Sequence, residues 1–466
     1  MNRPPSPEAD TLAATPGLLR IDAAGILDGD GTSIRSASLL LERRPGKPPR
    51  LLAAGPTPQV LSHPGAAAPT TAVLRRPRGV LLPGLVNAHT HLDLTHIGPK
   101  PHDPDTGFVP WVDMIRARRH TQDLDIVASV NRGIALCLAG GCVAIGDIAG
   151  APAGRPTLAP WRTLRDSGVA GTSFLEYFGI GASLEPRSVG LTALIEEVAD
   201  EAAHAAARGM ARLGLQPHAP NTVALPLYRL SVALAQRLPG ARLCTHLAET
   251  IEEREFIARG TGPQRALLER FGLWTEAILD DLGNGRHPVE HLAQVLESAQ
   301  GRLAAVHLND ASDPAIALLA ATRTSVIYCP RASAYFASQK HLGPHRYRDM
   351  LAAGIPVALG TDSIVNLPAN AAATPAEHPD GRGISVLDEM RLLHTRDGVA
   401  PALLIRMGTI NGAMAIGLDP AAFSFASTGR PSAEIQGVIS VETDPEVGDL
   451  AAGVMKAVTP AELLLK

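Results

Sequence analysis

Apolar residues in this chain gather in short runs, and between Gly79 and Asp362 those runs alternate with longer stretches of helical character. Eight runs stand out: GVLLPGLVNAH, CVAIGD, VAGTSFLEYF, ARLGLQPH, RLCTHLAE, RLAAVHL, TSVIYCP and IPVALGTD. Between them lie helix-like segments such as LIEEVADEAAHAAARG, IEEREFIARG and PAIALLAAT. Repeated strand-helix alternation predicts parallel strands joined by crossover helices. A closed barrel and an open doubly wound sheet share that alternation. The ends of the runs separate the two. His89, His91, His218, His246, His307 and Asp362 all fall at or near them, and barrels gather their chemistry on the rim where strands finish. The expected fold class is α/β, a (β/α)8 barrel of the TIM type over residues 80–415.

The flanks follow a different pattern. From Gly17 to Arg78 the β-type runs LLRIDAAGILDG and ASLLLERR are parted by Gly/Pro-rich stretches such as RPGKPPRLLAAGPTPQ. Beyond the barrel, TINGAMAIGL reads as a helix, and AEIQGVISVET with its polar tail as a return to the N-terminal β segment. One small β-sandwich domain is expected from both chain termini, residues 17–79 and 416–466. Residues 1–16, rich in Pro, Ala and acidic side chains, predict a disordered tail.

Composition narrows the class of function. With 466 residues, 45% of them hydrophobic and 19% charged, the chain can bury a large core, which excludes wholesale disorder. The net charge of −4 and the lack of any basic block longer than Arg75–Arg78 give no drive toward nucleic acid, so the expected partner is a small molecule. No stretch approaches the roughly 18 unbroken apolar residues of a membrane span, and no apolar region of a secretory signal follows the first residues. Cys137, Cys142, Cys244 and Cys329 form no C-x-x-C pair and sit in apolar runs, the pattern of reduced core thiols. A cytoplasmic location is expected.

The candidate chemistry starts at NAHTHLDLTH. His89 and His91 are two apart, so they project from one face of a strand and can chelate one ion. THLAET adds His246 and Glu249, and LGTDS adds Asp362, which supplies a third imidazole and a carboxylate to a single borderline cation with a position left for water. A cation so held brings the pKa of water to about 7.

In these segments the chain resembles the amidohydrolase superfamily, in particular its branch of cytosine, guanine and S-adenosylhomocysteine deaminases and triazine hydrolases. The resemblance runs from about Gly17 to the C-terminus. It is carried by LPGLVNAHTHLDL, QPHAPNT, THLAETIEE, AVHLND with AIALLAATRTSVIYCPR, and LAAGIPVALGTDS. It implies that His89, His91, His246 and Asp362 are the metal ligands and that Asp362 also takes a proton from the attacking water. It implies that Glu249 is the proton shuttle, because it stands in the branch's H-x-x-E position. It further implies that His307 polarises or orients water and substrate, and that His218 contacts the substrate. The strand carrying QPHAPNT lacks the lysine of binuclear relatives, so one divalent cation is expected, zinc first and ferrous iron second. Trp111 in FVPWVDMI is a candidate stacking contact. A homodimer accords with the resemblance.

The match departs in three places. CPRASAYF, residues 329–336, replaces the Pro-x-Ser-Asn motif of S-adenosylhomocysteine deaminases. An Ala/Pro-rich loop, residues 366–383, follows Asp362 where relatives enter a helix sooner. The C-terminal Gly-Lys-x-Ala-Asp signature survives only as GRPSAEIQG. The expected reaction is release of ammonia from an amino-substituted purine, pyrimidine or related heterocycle. Two rivals stand beside it: hydrolysis of a triazine C–Cl or C–N bond or a cyclic amide on the same fold, and a catalytically inactive binding module. A surface ion pair of Glu249 with Arg254 is the alternative to its catalytic role.

Overall fold

A computed structural model describes residues 16–44, 46–425, 433–444 and 448–466. The predicted tail therefore lies outside the described residues except for Pro16, as do the first four residues of GRPSAEIQG. Among the described residues, fifteen strands fall into two sheets. The N-terminal segment forms β1 (Gly17–Leu27), β2 (Ser33–Arg43), β3 (Arg50–Pro56) and β4 (Ala72–Pro83). The barrel comprises β5 (Leu85–Thr90), β6 (Cys142–Ala149), β7 (Ala170–Tyr177), β8 (Arg212–Pro217), β9 (Leu243–Leu247), β10 (Leu303–His307), β11 (Ser325–Tyr328) and β12 (Val357–Leu359). The C-terminal segment adds β13 (Ala433–Glu434), β14 (Val438–Glu442) and β15 (Glu462–Leu465).

Strands β5 to β12 pair in sequence order, all parallel, each overlapping one of the eight apolar runs, with β5 and β6 running one and two residues past theirs. Closure comes from the ends: Thr90 bridges Asp362, the N–H groups of Thr361 and Asp362 both donate to the His89 carbonyl at 3.0 Å, and Asn87 Nδ2 donates to Thr361 Oγ1 at 2.8 Å. The contact demands glycine at position 360, where a Cβ would stand 2.7 Å from that of His89. The fold is a (β/α)8 barrel, and the residues that close it are neighbours of the candidate ligands.

The second sheet runs β13-β3-β2-β1-β4-β14-β15, so both termini build it. It is one curled sheet over its own apolar cluster, which includes Ile21, Leu39, Leu51, Leu74 and Leu464. The chain passes from this sheet to the barrel at Gly84, inside the run GVLLPGLVNAH. One stretch read as a spacer is structured: RLLAAGP pairs with β2 and buries Leu51, and its Gly55 and Pro56 lie beyond the short pairing of β13 with Arg50 and Leu51, where a strand tolerates both residue types. The Ala/Pro-rich loop forms one short 3-10 turn, Ala369–Ala372, and docks on the helix Asp123–Ala139, with Arg132 paired to Glu377 and, just past the loop, the Ile384 N–H donating to the Leu136 carbonyl. All four cysteines are free and buried. Among the described residues, no helix is long and apolar enough to cross a membrane.

Candidate metal centre and active site

The C-terminal ends of the barrel strands bring seven of the eight residues singled out in the sequence to one place. His89 ends β5 pointing inward, and its ring centroid lies 5.1 Å from His91 and 5.1 Å from His246 at the end of β9. Ring nitrogens of these three fall within 4.8 Å of one another. Asp362 Oδ1 sits 3.4 Å from His91 Nε2 and 3.8 Å from His89 Nε2. His307 stacks on His246 at 5.3 Å and places Nε2 3.4 Å from Glu249 Oε1. His218 packs edge-on against His246 at 4.9 Å.

Each position has a local cause. His246 Nδ1 lies 3.1 Å from the His218 carbonyl, which can only accept; Nδ1 therefore carries the proton and Nε2 keeps its lone pair. Thr222 donates its hydroxyl proton to the Ala219 carbonyl, so His218 Nδ1 donates to that hydroxyl at 2.7 Å and its Nε2 is likewise left as an acceptor. His345 donates from Nε2 to the His307 carbonyl at 2.7 Å and stacks on Tyr328, fixing a residue whose φ is 74°. Ala248 at φ 51° and Asp362 at φ 56° are also left-handed, so strained backbone clusters where the side chains converge. The Glu253 carboxylate accepts from the Ala248 and Glu249 N–H groups at 2.9 and 2.8 Å, and thereby shapes the turn that holds Glu249. Thr250 caps the same helix by accepting from the Glu253 N–H.

Burial sets the electrostatics. It holds His89, His91 and His307 well below the usual imidazole range and lowers His218 and His246 to about 3, with neighbouring imidazoles or Arg119 adding repulsion. The rings are neutral, the form that binds metal. Both His89 nitrogens and His91 Nδ1 are buried with no hydrogen-bond partner. Such orphaned lone pairs are costly in a dry interior. A divalent cation among three imidazoles and the Asp362 carboxylate would take one nitrogen of each ring, so the donor set fits such an ion. Burial raises Asp362 to about 7, and burial with repulsion from Asp362 and Glu253 lifts Glu249 well above the carboxylate range.

Other residues of the rim escaped the sequence reading. Arg119 packs against Gly150, where a Cβ would collide with its guanidinium; its Nε donates to Asp93 Oδ2 at 2.8 Å, and Nη2 lies 3.9 Å from Glu176. Glu176, His218 and His246 form a second donor group within 4.8 Å, but Arg119 already gives that carboxylate its positive neighbour. No motif signals these, because Arg119 meets its partners only through the fold. Glu253 was legible as the fourth residue of a T-x-x-E capping box. The surface pair weighed for Glu249 does not form: Arg254 makes a bidentate pair with Asp310. Trp111 is not one of the converging donors; it packs in a group of aromatic rings with Phe108 and Phe336. His291, left out of the site, falls in the short helix Pro288–His291 ahead of β10.

A sequence model of the amidohydrolase family matches residues 80–422, which contain every donor named above. The chain is 28% identical over 362 residues to an aminodeoxyfutalosine deaminase of Deinococcus radiodurans, covering 73% of this chain and 74% of that one. It is 29% identical over 350 residues to a 5-methylthioadenosine/S-adenosylhomocysteine deaminase of Moorella thermoacetica, covering 73% and 69%. Among solved structures, a zinc-bound adenosine deaminase from Xanthomonas campestris superposes with a TM-score of 0.68 at 18% identity, over 96% of this chain and 92% of that one.

Proposed function

The chain belongs to the amidohydrolase family, and from that premise we propose that it is a metal-dependent deaminase of an adenosine-type compound, converting a ring C–NH2 and water to a ring carbonyl and ammonia. The observation that carries the reading is the convergence of three buried neutral imidazoles and Asp362 beside a second buried acid, Glu249. The two sequence relatives named above, deaminases of adenosine-type compounds, support this leaving group over chloride or a ring amide.

His89, His91, His246 and Asp362 hold one divalent cation, zinc before ferrous iron, as three nitrogens and one oxygen accept either. Bound there, the cation supplies Lewis acidity that makes hydroxide available from water near neutral pH. Asp362, raised to about 7 by burial, takes the proton of the attacking water. Glu249 is held protonated by burial and by Asp362 and Glu253; it gives its proton to the ring nitrogen beside the reacting carbon, takes one from the newly added hydroxyl as the carbonyl forms and passes it to the departing amine, which leaves as ammonia, and the proton held by Asp362 then restores Glu249. His307, 3.4 Å from Glu249 and stacked on His246, orients water and substrate between them. The free Nε2 of His218 accepts a hydrogen bond from the substrate.

The test is metal content and ammonia release on purified protein with adenosine and 5′-substituted adenosines. One metal per chain, lost in His89→Ala and Asp362→Ala together with ammonia release, is the expected result. A fully loaded protein that releases no ammonia from any aminopurine overturns the reading.

A further inference from the structure

His307 ends β10, and the three residues after it grip the loop that carries Glu249. Three successive carbonyls of that loop are held. The Leu308 N–H donates to the Leu247 carbonyl at 3.1 Å, the Asp310 N–H to that of Ala248 at 3.0 Å, and the Asn309 side-chain amide, through Nδ2, to that of Glu249 at 3.1 Å. Two of these are backbone bonds that any residue but proline supplies. The third depends on the side chain of Asn309.

That side chain is buried and its orientation is fixed. Nδ2 also lies 3.3 Å from Ser338 Oγ, on the short helix Ser338–Leu342 that follows β11, so one amide joins the crossovers after β9, β10 and β11. Oδ1 is buried with no hydrogen-bond partner. Turning the amide over would set Oδ1 against the Glu249 carbonyl, two acceptors face to face. A buried acceptor left unpaired costs stability. The amide thus keeps its donors on Glu249 and Ser338 and leaves its own oxygen unmatched.

The consequence falls on Glu249. On one side of its Cα the Glu253 carboxylate accepts from the Glu249 N–H at 2.8 Å; on the other, Asn309 holds the carbonyl. With both flanking peptide planes tied, only the side-chain torsions of Glu249 stay free, and its Oε1 comes to lie 3.4 Å from His307 Nε2. The turn that bears His307 is therefore also the anchor of Glu249. We propose that Asn309 is a positioning residue for proton transfer: it sets the separation of Glu249 and His307 by tying the Glu249 carbonyl to the turn that follows His307. This rests on the deaminase reading above. Asn309 acts through Glu249, and a proton donor displaced by about 1 Å loses much of its effect.

A double-mutant cycle of Asn309→Ala with Glu249→Gln separates this role from a purely structural one. It is read as ammonia release from the adenosine-type compound that wild type turns over fastest. Asn309→Ala should lower kcat by about 10- to 100-fold, with KM within about twofold of wild type and bound metal at the wild-type level. In the Glu249→Gln background the same change should lower kcat less than about twofold, because the group that Asn309 aims is gone. A full further drop in that background, or no drop in the wild-type one, overturns the proposal. Should Asn309→Ala fail to fold, Asn309→Ser, whose hydroxyl is too short to reach the Glu249 carbonyl, takes its place. NMR of zinc-loaded protein labelled with 15N-histidine gives a readout free of turnover. The His307 Nε2 resonance should move in Asn309→Ala in the same direction as in Glu249→Gln, and a resonance that stays in place overturns the proposal. If wild type releases no ammonia from any aminopurine, the deaminase reading falls, and that resonance alone decides whether Asn309 positions Glu249.

Discussion

The rim of the barrel and the seven-stranded sheet are built by one chain from similar short strands, yet they treat polar groups in opposite ways. In the sheet, alternate residues of β1 and β2 such as Ile21, Leu39 and Leu41 enter an apolar cluster, and charged side chains pair near the surface, Arg20 with Asp22 and Arg76 with Glu462. On the rim, three imidazoles and two carboxyl groups are buried together, several ring nitrogens have no partner, and Ala248, His307, Leu308 and Asp362 adopt left-handed backbone. Unpaired buried polar atoms and strained backbone both cost stability. Their concentration at one end of the barrel marks that end as shaped for a ligand, with the stability coming from regions such as the sheet.

The sharpest way to break this contrast is Glu249→Gln. It removes the proton carrier and keeps the shape, so turnover should fall by about 10²–10⁴-fold, while bound metal stays at the wild-type level by elemental analysis. Because it also removes a carboxyl group repelled by Asp362 and Glu253, the thermal midpoint should hold or rise. A drop in midpoint would show that the site contributes to stability after all.

Leu39→Ala tests the other half. Leu39 is fully buried in the sheet, and its truncation should cost about 2–5 kcal/mol. Denaturant unfolding should register that loss, with kcat/KM at a permissive temperature unchanged. A matching loss of activity would mean that the sheet and the rim are one energetic unit.

Acid reaches the barrel through buried histidines. Burial lowers His291 from the usual 6.5 to about 4, so above pH 6.5 the folded and unfolded forms are both neutral and the stability is fully present. Below 6.5 the unfolded chain takes up a proton that the folded one refuses, and stability falls until about pH 4. His345, also lowered to about 4 by burial, acts in the same direction. The unfolding midpoint should decline across this window, and His291→Gln should make the decline shallower. An unchanged slope in that variant would remove His291 from the account.

The smallest effect belongs to the surface. Arg265 and Glu269 pair one helical turn apart, both partly exposed, and Arg265→Ala should move stability by no more than about 0.5 kcal/mol and leave activity alone. A larger change would point to its contact over the Trp274 ring, 4.2 Å from the guanidinium.

How much of this was legible depends on where the signal lives. The eight strands were readable because a buried parallel strand is a short apolar run, and the candidate donors because each sits at the end of such a run. His89 and His91 share a face by strand geometry alone, and Glu249 stands three residues beyond His246. Strand β3 was hidden by Gly55 and Pro56, which lie beyond its short pairing with β13. Arg119, Asp93 and Glu176 were hidden for another reason: they are 26 to 83 residues apart, they lie on three different segments, and none of them carries a local pattern.

By itself, then, the sequence determined the strand order, the apolar interior and the set of residues able to bind a cation, since all three follow from local periodicity and residue chemistry. Only the tertiary structure decided which nitrogens face inward, that Arg254 turns to Asp310 and leaves Glu249 free, and that Trp111 meets Tyr335 and Phe336 across the barrel mouth. Each of those outcomes depends on the angle at which separate crossovers return to one rim. That angle is set by the closure of β12 onto β5, a contact between residues more than 270 positions apart in the chain.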